Sequence, residues 1–120
     1  MKSENWWWGR SASVDLHGCD HELVKDPKTI KKFVRALAKA IKMKRVGPPI
    51  IMRLGHGKLR GYSMMQLIET STIIAHLDEK GNRAFIDVFS CKQFNPKIVA
   101  KFCQKFFKAK NFSTYVEERL

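Results

Sequence analysis

Residues 61–91 decide the fold, and they read GYSMMQLIETSTIIAHLDEKGNRAFIDVFSC. Three short apolar runs rich in β-branched and aromatic residues are separated by small or charged breaks, which predicts consecutive strands. Residues 77–82 have the polar and glycine content of a hairpin loop. Side chains on adjacent strands can converge on one spot, so we expect the chemistry here. The stretch contains three possible nucleophiles and one possible general base: Ser63, Ser71, Cys91 and His76. Ser71 and His76 are five residues apart, so on a regular strand they point to opposite faces and can meet only through a bulge or a strand end.

One amphipathic helix is predicted on each side of this stretch. Asp26-Pro27 combines an N-capping carboxylate with a proline at the first helical position, and Asn95-Pro96 repeats this arrangement. Apolar residues then recur at helical spacing, with lysines on the opposite side. Alternating or β-branched segments predict three further strands, at residues 11–16, 50–54 and 112–116.

A sequence pattern that occurs twice indicates how these elements are arranged. Residues 14–19 (VDLHGC) and 86–91 (IDVFSC) share the pattern apolar-Asp-apolar-x-small-Cys, and a helix start with proline follows each. We expect two β-α-β halves within a single domain, forming an α+β two-layer sandwich with a mainly antiparallel sheet and both helices on one face. The other face would then need cover, which a homodimer stacking sheet on sheet would supply.

The composition of the chain limits the classes of function that we expect of it. The net charge of +12 raises a nucleic-acid hypothesis, but the lysines are dispersed along both predicted helices, which favours a solvated basic face. The sequence has no apolar run of the roughly 20 residues that span a bilayer, and its start does not resemble a secretory signal. We therefore expect a cytoplasmic protein that does not bind membranes. Three widely spaced cysteines do not predict a zinc site.

The consecutive tryptophans Trp6, Trp7 and Trp8 are unusual. Three adjacent indoles cannot all point the same way, so we expect at least one to cover a core edge or a partner surface. Stacking on nucleic-acid bases is the alternative interpretation.

The reactive residues occur at a spacing that resembles a known family, the bacterial and archaeal S-adenosylmethionine decarboxylase proenzymes. Members have a strand ending in Asp-Leu-x-Gly-Cys, here residues 15–19 (DLHGC). They then carry a serine, a second serine eight residues later, a histidine five later and a cysteine fifteen later. The family's Asp-hydrophobic-Phe-Thr-Cys corresponds to residues 87–91 (DVFSC). The matching reactive positions are Ser63, Ser71, His76 and Cys91.

The resemblance implies a pyruvoyl cofactor made from the chain itself, with no metal. Decarboxylation of an amino acid needs an electron sink, and no part of the sequence indicates a site for pyridoxal phosphate. By resemblance, the Ser71 hydroxyl attacks the carbonyl of Thr70, and the chain is cut into a β chain (1–70) and an α chain (71–120). Ser71 becomes the pyruvoyl group, which binds the substrate amine as a Schiff base. The implied activity is S-adenosylmethionine decarboxylation for spermidine synthesis.

The resemblance also implies roles for the three other residues. His76 is expected to be the base that drives the elimination step of processing. Ser63 is expected to assist processing by hydrogen bonding near the Thr70 carbonyl. Cys91 is expected to return a proton to the product carbon. Ser90, Thr72 and Cys103, by contrast, are expected to be ordinary strand or core residues.

The substrate side departs from the family pattern and leaves the substrate open. Thr70 stands where members usually have Glu before the cut, and Leu59, Asp78 and Lys80 stand where they have Phe, Trp and Glu. Acidic Asp78 and Glu79 could instead pair with a cationic substrate. A second hypothesis is therefore an arginine or ornithine decarboxylase with the same machinery. A third is a non-catalytic basic binding protein on the same fold.

Overall fold

The structure is a computed structural model that describes residues 8–120. Trp6 and Trp7, for which we expected a covering role, lie outside the described residues. Trp8 is within them and is largely exposed.

Six strands and three α-helices form within the described residues. In chain order they are β1 (Gly9–His17), α1 (His21–Val24), α2 (Pro27–Ala40), β2 (Ile50–Leu54), β3 (Gly61–Ile68), β4 (Ser71–Asp78), β5 (Arg83–Ser90), α3 (Pro96–Phe107) and β6 (Asn111–Arg119). All six strands join one sheet in the order β2-β3-β4-β5-β1-β6, and every ladder is antiparallel. The predicted α+β fold is confirmed.

Both long helices begin where the capping residues predicted. The Asp26 carboxylate accepts hydrogen bonds from the Lys28 amide at 3.2 Å and from the Thr29 hydroxyl at 2.7 Å. Asn95 likewise accepts from the Lys97 amide at 2.9 Å. The two bonds from the Lys28 and Lys97 amides satisfy backbone donors that a helix start otherwise leaves without partners.

The helices cover one face of the sheet. Alternate strand residues, such as Val14, Ile73 and Ile86, are fully buried and share one core with the apolar stripes of α2 and α3. Phe33 on α2 joins the helices, because its ring centroid lies 4.7 Å from that of Phe107 on α3. Since Cys103 is buried in this core, burial raises the pKa of its thiol, which agrees with the expected structural role.

The two segments that share this pattern, residues 14–19 and 86–91, lie side by side because the strands β1 and β5 are neighbours in the sheet. Val14 of β1 pairs directly with Ile86 of β5, and each strand leads towards one of the long helices. This arrangement agrees with the predicted repeat of β-α-β halves, although the first half carries additional strands.

Three boundaries differ from the prediction. The short helix α1 was not predicted, and it forms because the Asp20 carboxylate accepts from the Glu22 amide at 2.9 Å. Strand β4 continues to Asp78, so the loop before β5 contains only residues 79–82. Strand β6 is nine residues long because its full length pairs with β1.

The other sheet face has no covering layer among the described residues. Exposed hydrophobic side chains lie on it along β2 and β3, namely Ile50, Met52, Met65 and Leu67. Among residues 8–120, no helix combines the length and apolar character that crossing a membrane requires. We refer below to the uncovered face as the open face and to the other as the helix face.

Candidate active site

The bond between Thr70 and Ser71 lies at the tight turn that joins β3 to β4. Ile68 pairs with Ser71 across the ladder, which leaves only Glu69 and Thr70 in the turn. Thr70 has a φ of 65°, in the left-handed region that β-branched residues rarely adopt. Its hydroxyl donates to the Glu69 carbonyl at 2.6 Å. The turn therefore holds a strained backbone beside the serine that we expected to react.

The end of β5 contacts both sides of this bond. The Cys91 amide donates a hydrogen bond to the Thr70 carbonyl oxygen at 3.1 Å. The Ser71 hydroxyl donates to the Ser90 hydroxyl at 2.6 Å, on the helix face, where both side chains are buried. An amide that binds the carbonyl oxygen can also stabilise negative charge if that carbonyl is attacked. The Cys91 side chain itself is half-buried.

Ser63 and His76 form a second pair. They lie directly opposite each other on β3 and β4, and the Ser63 Oγ is 3.1 Å from the His76 Nδ1. Gly61 permits the close approach of the two strands here, because a Cβ at this position would lie 1.9 Å from the Leu77 carbonyl oxygen. His76 is exposed on the open face.

Two shallow grooves flank His76 on the open face. The first, of about 150 Å³, is almost wholly apolar; the second measures about 250 Å³. The first is lined by Ile50, Met52, Leu54, Ser63, Met64, Met65, Ile74 and His76. The second is lined by Lys58, Leu59, His76, Leu77, Asp78, Arg83 and Phe85.

The two pairs do not meet within one copy of the chain. The β3–β4 ladder runs without a bulge from Ser63↔His76 to Ile68↔Ser71. Because Ser71 and His76 are an odd number of residues apart on a regular strand, their side chains point to opposite faces. The expected convergence of all four residues is therefore wrong for the single copy.

Asp78 and Glu79 are already held by arginines. Glu79 accepts two hydrogen bonds from Arg53, both at 2.8 Å, and this interaction lowers the pKa of the carboxyl. Although burial favours the protonated form of Asp78, hydrogen bonds from the Gly81 amide and the Arg83 guanidinium hold its pKa below the ordinary value. A cationic substrate would have to compete with these arginines.

Ser90 is the residue that sequence reasoning missed. We expected an ordinary strand serine, yet its side chain is fully buried and contacts the Ser71 hydroxyl. One signal was available, because the family pattern also has a hydroxyl, that of threonine, before the cysteine. Within residues 8–120, no group of three or more His, Cys, Asp or Glu side chains is placed to hold a metal ion.

Comparison with known proteins identifies the family. The family model described as S-adenosylmethionine decarboxylase matches residues 10–120, nearly the whole chain. The chain belongs to the S-adenosylmethionine decarboxylase family. This confirms the resemblance drawn from the spacing of the reactive residues.

Two proteins, one similar in sequence and one in structure, are named as decarboxylases of this kind. An S-adenosylmethionine decarboxylase proenzyme from Sulfurisphaera tokodaii is 31% identical over 84 residues, which are 69% of this chain and 64% of the relative. The match thus spans a little under two thirds of that protein. The crystal structure of the adenosylmethionine decarboxylase from Aquifex aeolicus has a TM-score of 0.80 at 17% identity, covering 94% of this chain and 91% of that one. It shows the shared fold.

Proposed function

We propose that this chain is a self-processing, pyruvoyl-dependent S-adenosylmethionine decarboxylase of spermidine synthesis, acting in the cytoplasm. The observation that carries the proposal is the Thr70–Ser71 bond, with the Cys91 amide on its carbonyl oxygen and a buried hydroxyl beside its serine. Family membership and the proenzyme name of the archaeal relative support the same function.

Processing begins with an acyl shift at this bond. The Ser71 Oγ attacks the Thr70 carbonyl carbon, the Oγ–C bond forms, the C–N bond breaks, and the hydroxyl proton ends on the freed Ser71 nitrogen. The Cys91 amide stabilises the oxyanion that develops on the Thr70 oxygen. The strain of the left-handed Thr70 favours departure from the amide.

Elimination then separates the two chains. A base removes the Cα proton of Ser71, the Ser71 Cβ–Oγ bond breaks, and Oγ leaves with Thr70 as the carboxylate that ends residues 1–70. Hydrolysis of the remaining unsaturated residue consumes water, releases ammonia and leaves the pyruvoyl group at the start of residues 71–120. His76 is the candidate base, and Ser63 holds its ring through the 3.1 Å contact.

A second copy of the chain is needed to bring this base to its proton. In one copy the His76 side chain lies on the open face, whereas Ser71 faces the helices. Ser71 is, however, the first residue of β4, and the proton to be removed is on its Cα at the rim of the sheet. In a homodimer that packs open face to open face, His76 of the partner subunit would serve this position.

The size of the grooves and the apolar open face support such a dimer. The grooves beside His76, about 150 and 250 Å³, are each smaller than the roughly 300–1,000 Å³ of typical ligand sites. A second surface would enclose them and would also cover the exposed Met52, Met65 and Leu67. Substrate would then bind at the interface.

During turnover the pyruvoyl group supplies the electron sink that decarboxylation requires. Cys91 is the candidate proton donor to the product carbon, since its backbone already contacts the residue before Ser71. The arginine or ornithine alternative has less support, because the carboxylates of Asp78 and Glu79 are engaged by Arg83 and Arg53.

Mass spectrometry of the purified protein tests the proposal. We expect two fragments, residues 1–70 and 71–120, the second beginning with a group that reacts with ketone reagents. Ser71→Ala should fold and remain a single species of 13.9 kDa less one oxygen atom. Release of carbon dioxide should occur with S-adenosylmethionine and not with arginine or ornithine. A wild-type chain that stays intact would refute the proposal.

Co-expression of two inactive variants tests the dimer separately. Ser71→Ala cannot be cut but retains His76, while His76→Ala retains Ser71 but lacks the base. If the partner supplies the base, the His76→Ala chain should be cut only when Ser71→Ala is co-expressed with a distinguishable tag. If neither chain is cut in the mixture, the base acts within one copy.

A further inference from the structure

Among residues 8–120, the Ser71 hydroxyl, the nucleophile of the proposed acyl shift, has one hydrogen-bond partner, the Ser90 hydroxyl. The two Oγ atoms are 2.6 Å apart on neighbouring positions of β4 and β5, where Ser71 pairs with Ser90 in the ladder. Ser90 is fully buried and Ser71 is 8% exposed. Since His76 lies on the other face, it does not fix the Ser71 side chain in this copy.

Ser90 is itself held in a fixed orientation. Its Oγ accepts a hydrogen bond from the Lys92 amide at 2.8 Å in addition to the bond from Ser71. A hydroxyl has two acceptor lone pairs, so these two donors occupy both of them. Because Ser71 is the donor in its bond to Ser90, its hydroxyl proton points towards Ser90 and its lone pairs remain available to a carbonyl carbon.

Three consecutive residues therefore hold the attacking hydroxyl and the carbonyl that it attacks. Ser90 holds the nucleophile through its side chain, Cys91 holds the carbonyl oxygen of Thr70 through its amide, and the Lys92 amide fixes Ser90. All of these contacts come from the end of β5. When the nucleophile is held beside the carbonyl, its side chain no longer has to sample several rotamers before it can attack. This restriction to one geometry is a large part of the rate advantage of an intramolecular reaction.

We propose that Ser90 is a positioning residue for self-processing: it orients the Ser71 hydroxyl for attack on Thr70. This inference rests on the proposed function. In the step concerned, the Ser71 Oγ–C bond forms, the Thr70–Ser71 C–N bond breaks and the proton moves to the Ser71 nitrogen. Ser90 contributes only its hydrogen bond and is unchanged afterwards.

The test follows cleavage of newly made chain in a cell-free translation chase, on a denaturing gel. Ser90→Ala should slow cleavage at least tenfold. Ser90→Thr keeps a hydroxyl at the same carbon and should restore cleavage to near the wild-type rate. Thr72→Ala is the matched control, because Thr72 is adjacent to Ser71 but lies on the open face, and it should cleave like wild type.

Hydroxylamine identifies the step that is slowed, since it cuts an ester but not the original amide. Hydroxylamine should not restore cleavage of Ser90→Ala, because this variant fails before the ester forms. Rapid cutting by hydroxylamine would place the defect after the acyl shift and would overturn the proposed role. Cleavage of Ser90→Ala at the wild-type rate would also overturn it.

Two further arms separate folding from function. Thermal melts of Ser71→Ala with and without Ser90→Ala report whether the buried position tolerates alanine. If it does not, Ser90→Cys keeps the volume with a weaker hydrogen-bonding group, and wild-type cleavage by that variant would refute the inference. A wild-type chain that never cleaves would overturn the proposed function and this inference together. If the wild-type chain cleaves and the Ser90 variants cleave equally fast, only the role of Ser90 is overturned.

Discussion

At the scale of single residues, Thr70 stores strain beside the bond to be broken. Its φ of 65° places a β-branched side chain in the left-handed region, where a residue other than glycine costs about 1–2 kcal/mol. Glycine pays no such steric penalty there, although it loses more chain entropy on folding. The strained conformation is maintained by the tight β3–β4 turn and by the hydrogen bond from the Cys91 amide.

Thr70→Gly should therefore stabilise the precursor. In the uncut Ser71→Ala background, we expect the free energy of unfolding in urea to rise by about 1 kcal/mol, the net of the two opposing effects. Thr72→Gly is the control, because Thr72 is in extended strand and glycine should weaken it. An unchanged or lower stability for Thr70→Gly would show that the turn does not strain Thr70.

Cys91 has two separable contributions, one from its backbone and one from its thiol. Cys91→Ala keeps the amide that contacts Thr70, so self-cleavage should proceed at close to the wild-type rate. Loss of a general acid should lower carbon dioxide release by about 10²–10⁴-fold. Both rates are measured on one preparation, by gel and by trapped carbon dioxide. Normal turnover of Cys91→Ala would remove the thiol from the mechanism.

The candidate reactive residues could be named from the sequence, whereas their full arrangement could not. Spacing proposed Ser63, Ser71, His76 and Cys91, and the period of a strand already predicted that Ser71 and His76 point to opposite faces. The role of Ser90 could not be read in the same way, because a serine in a strand is commonplace. Only its pairing with Ser71 across the β4–β5 ladder gives it significance, and residue pairing is a tertiary property.

At the scale of elements, the starts of the long helices were the most predictable features. A capping side chain followed by proline fixes a helix start through local contacts alone, at Asp26 and at Asn95. The full length of β6 was missed because it depends on pairing with β1, which is distant in the sequence. The helix α1 was missed because its four residues are too few to show a helical pattern of apolar positions. Asp20 caps it through a local contact and is also held by a distant one, the hydrogen bond from its amide to the Phe107 carbonyl.

The edge strand β2 is tied to the sheet by an ion pair as well as by its ladder. Arg53 of β2 reaches Glu79 beyond the end of β4 with two hydrogen bonds of 2.8 Å. Because this contact lowers the pKa of Glu79, its stabilisation is complete above the ordinary value of 4.5 and is lost as the pH falls through the lowered value.

Glu79→Gln should consequently lower stability in a pH-dependent manner. In the Ser71→Ala background, its midpoint of urea unfolding should be below that of the parent at pH 7. The difference should shrink as the pH falls below 4.5, since the parent carboxylate then also loses its charge. Glu69→Gln, in the exposed β3–β4 turn, is the control. A difference that does not vary with pH would exclude the ion pair as its cause.

At the scale of the whole molecule, the proposed cut would divide the sheet into interleaved halves. Strands β1, β2 and β3 belong to residues 1–70, and β4, β5 and β6 belong to residues 71–120. In the sheet order β2-β3-β4-β5-β1-β6, strand β1 lies between β5 and β6 of the other fragment. Neither fragment can leave without breaking ladders on both sides of β1.

The two fragments should thus remain together after processing. We expect them to coelute from a sizing column in native buffer and to separate only in denaturant. A fragment that elutes alone under native conditions would contradict the observed strand order. This interleaving was beyond sequence analysis, because alternation predicts that strands exist but does not say which strands become neighbours.

The left-handed turn at Thr70 gives the proposed acyl shift a direction. The tight hairpin would keep the freed Ser71 amine beside the new ester, and such a high effective concentration would by itself favour return to the amide. Once the amide bond is broken, Thr70 can relax to an ordinary backbone conformation, and return to the amide would have to force it back. The hairpin would thus hold the chain at the ester long enough for elimination, and loss of the Ser71 nitrogen as ammonia would then make the cut permanent.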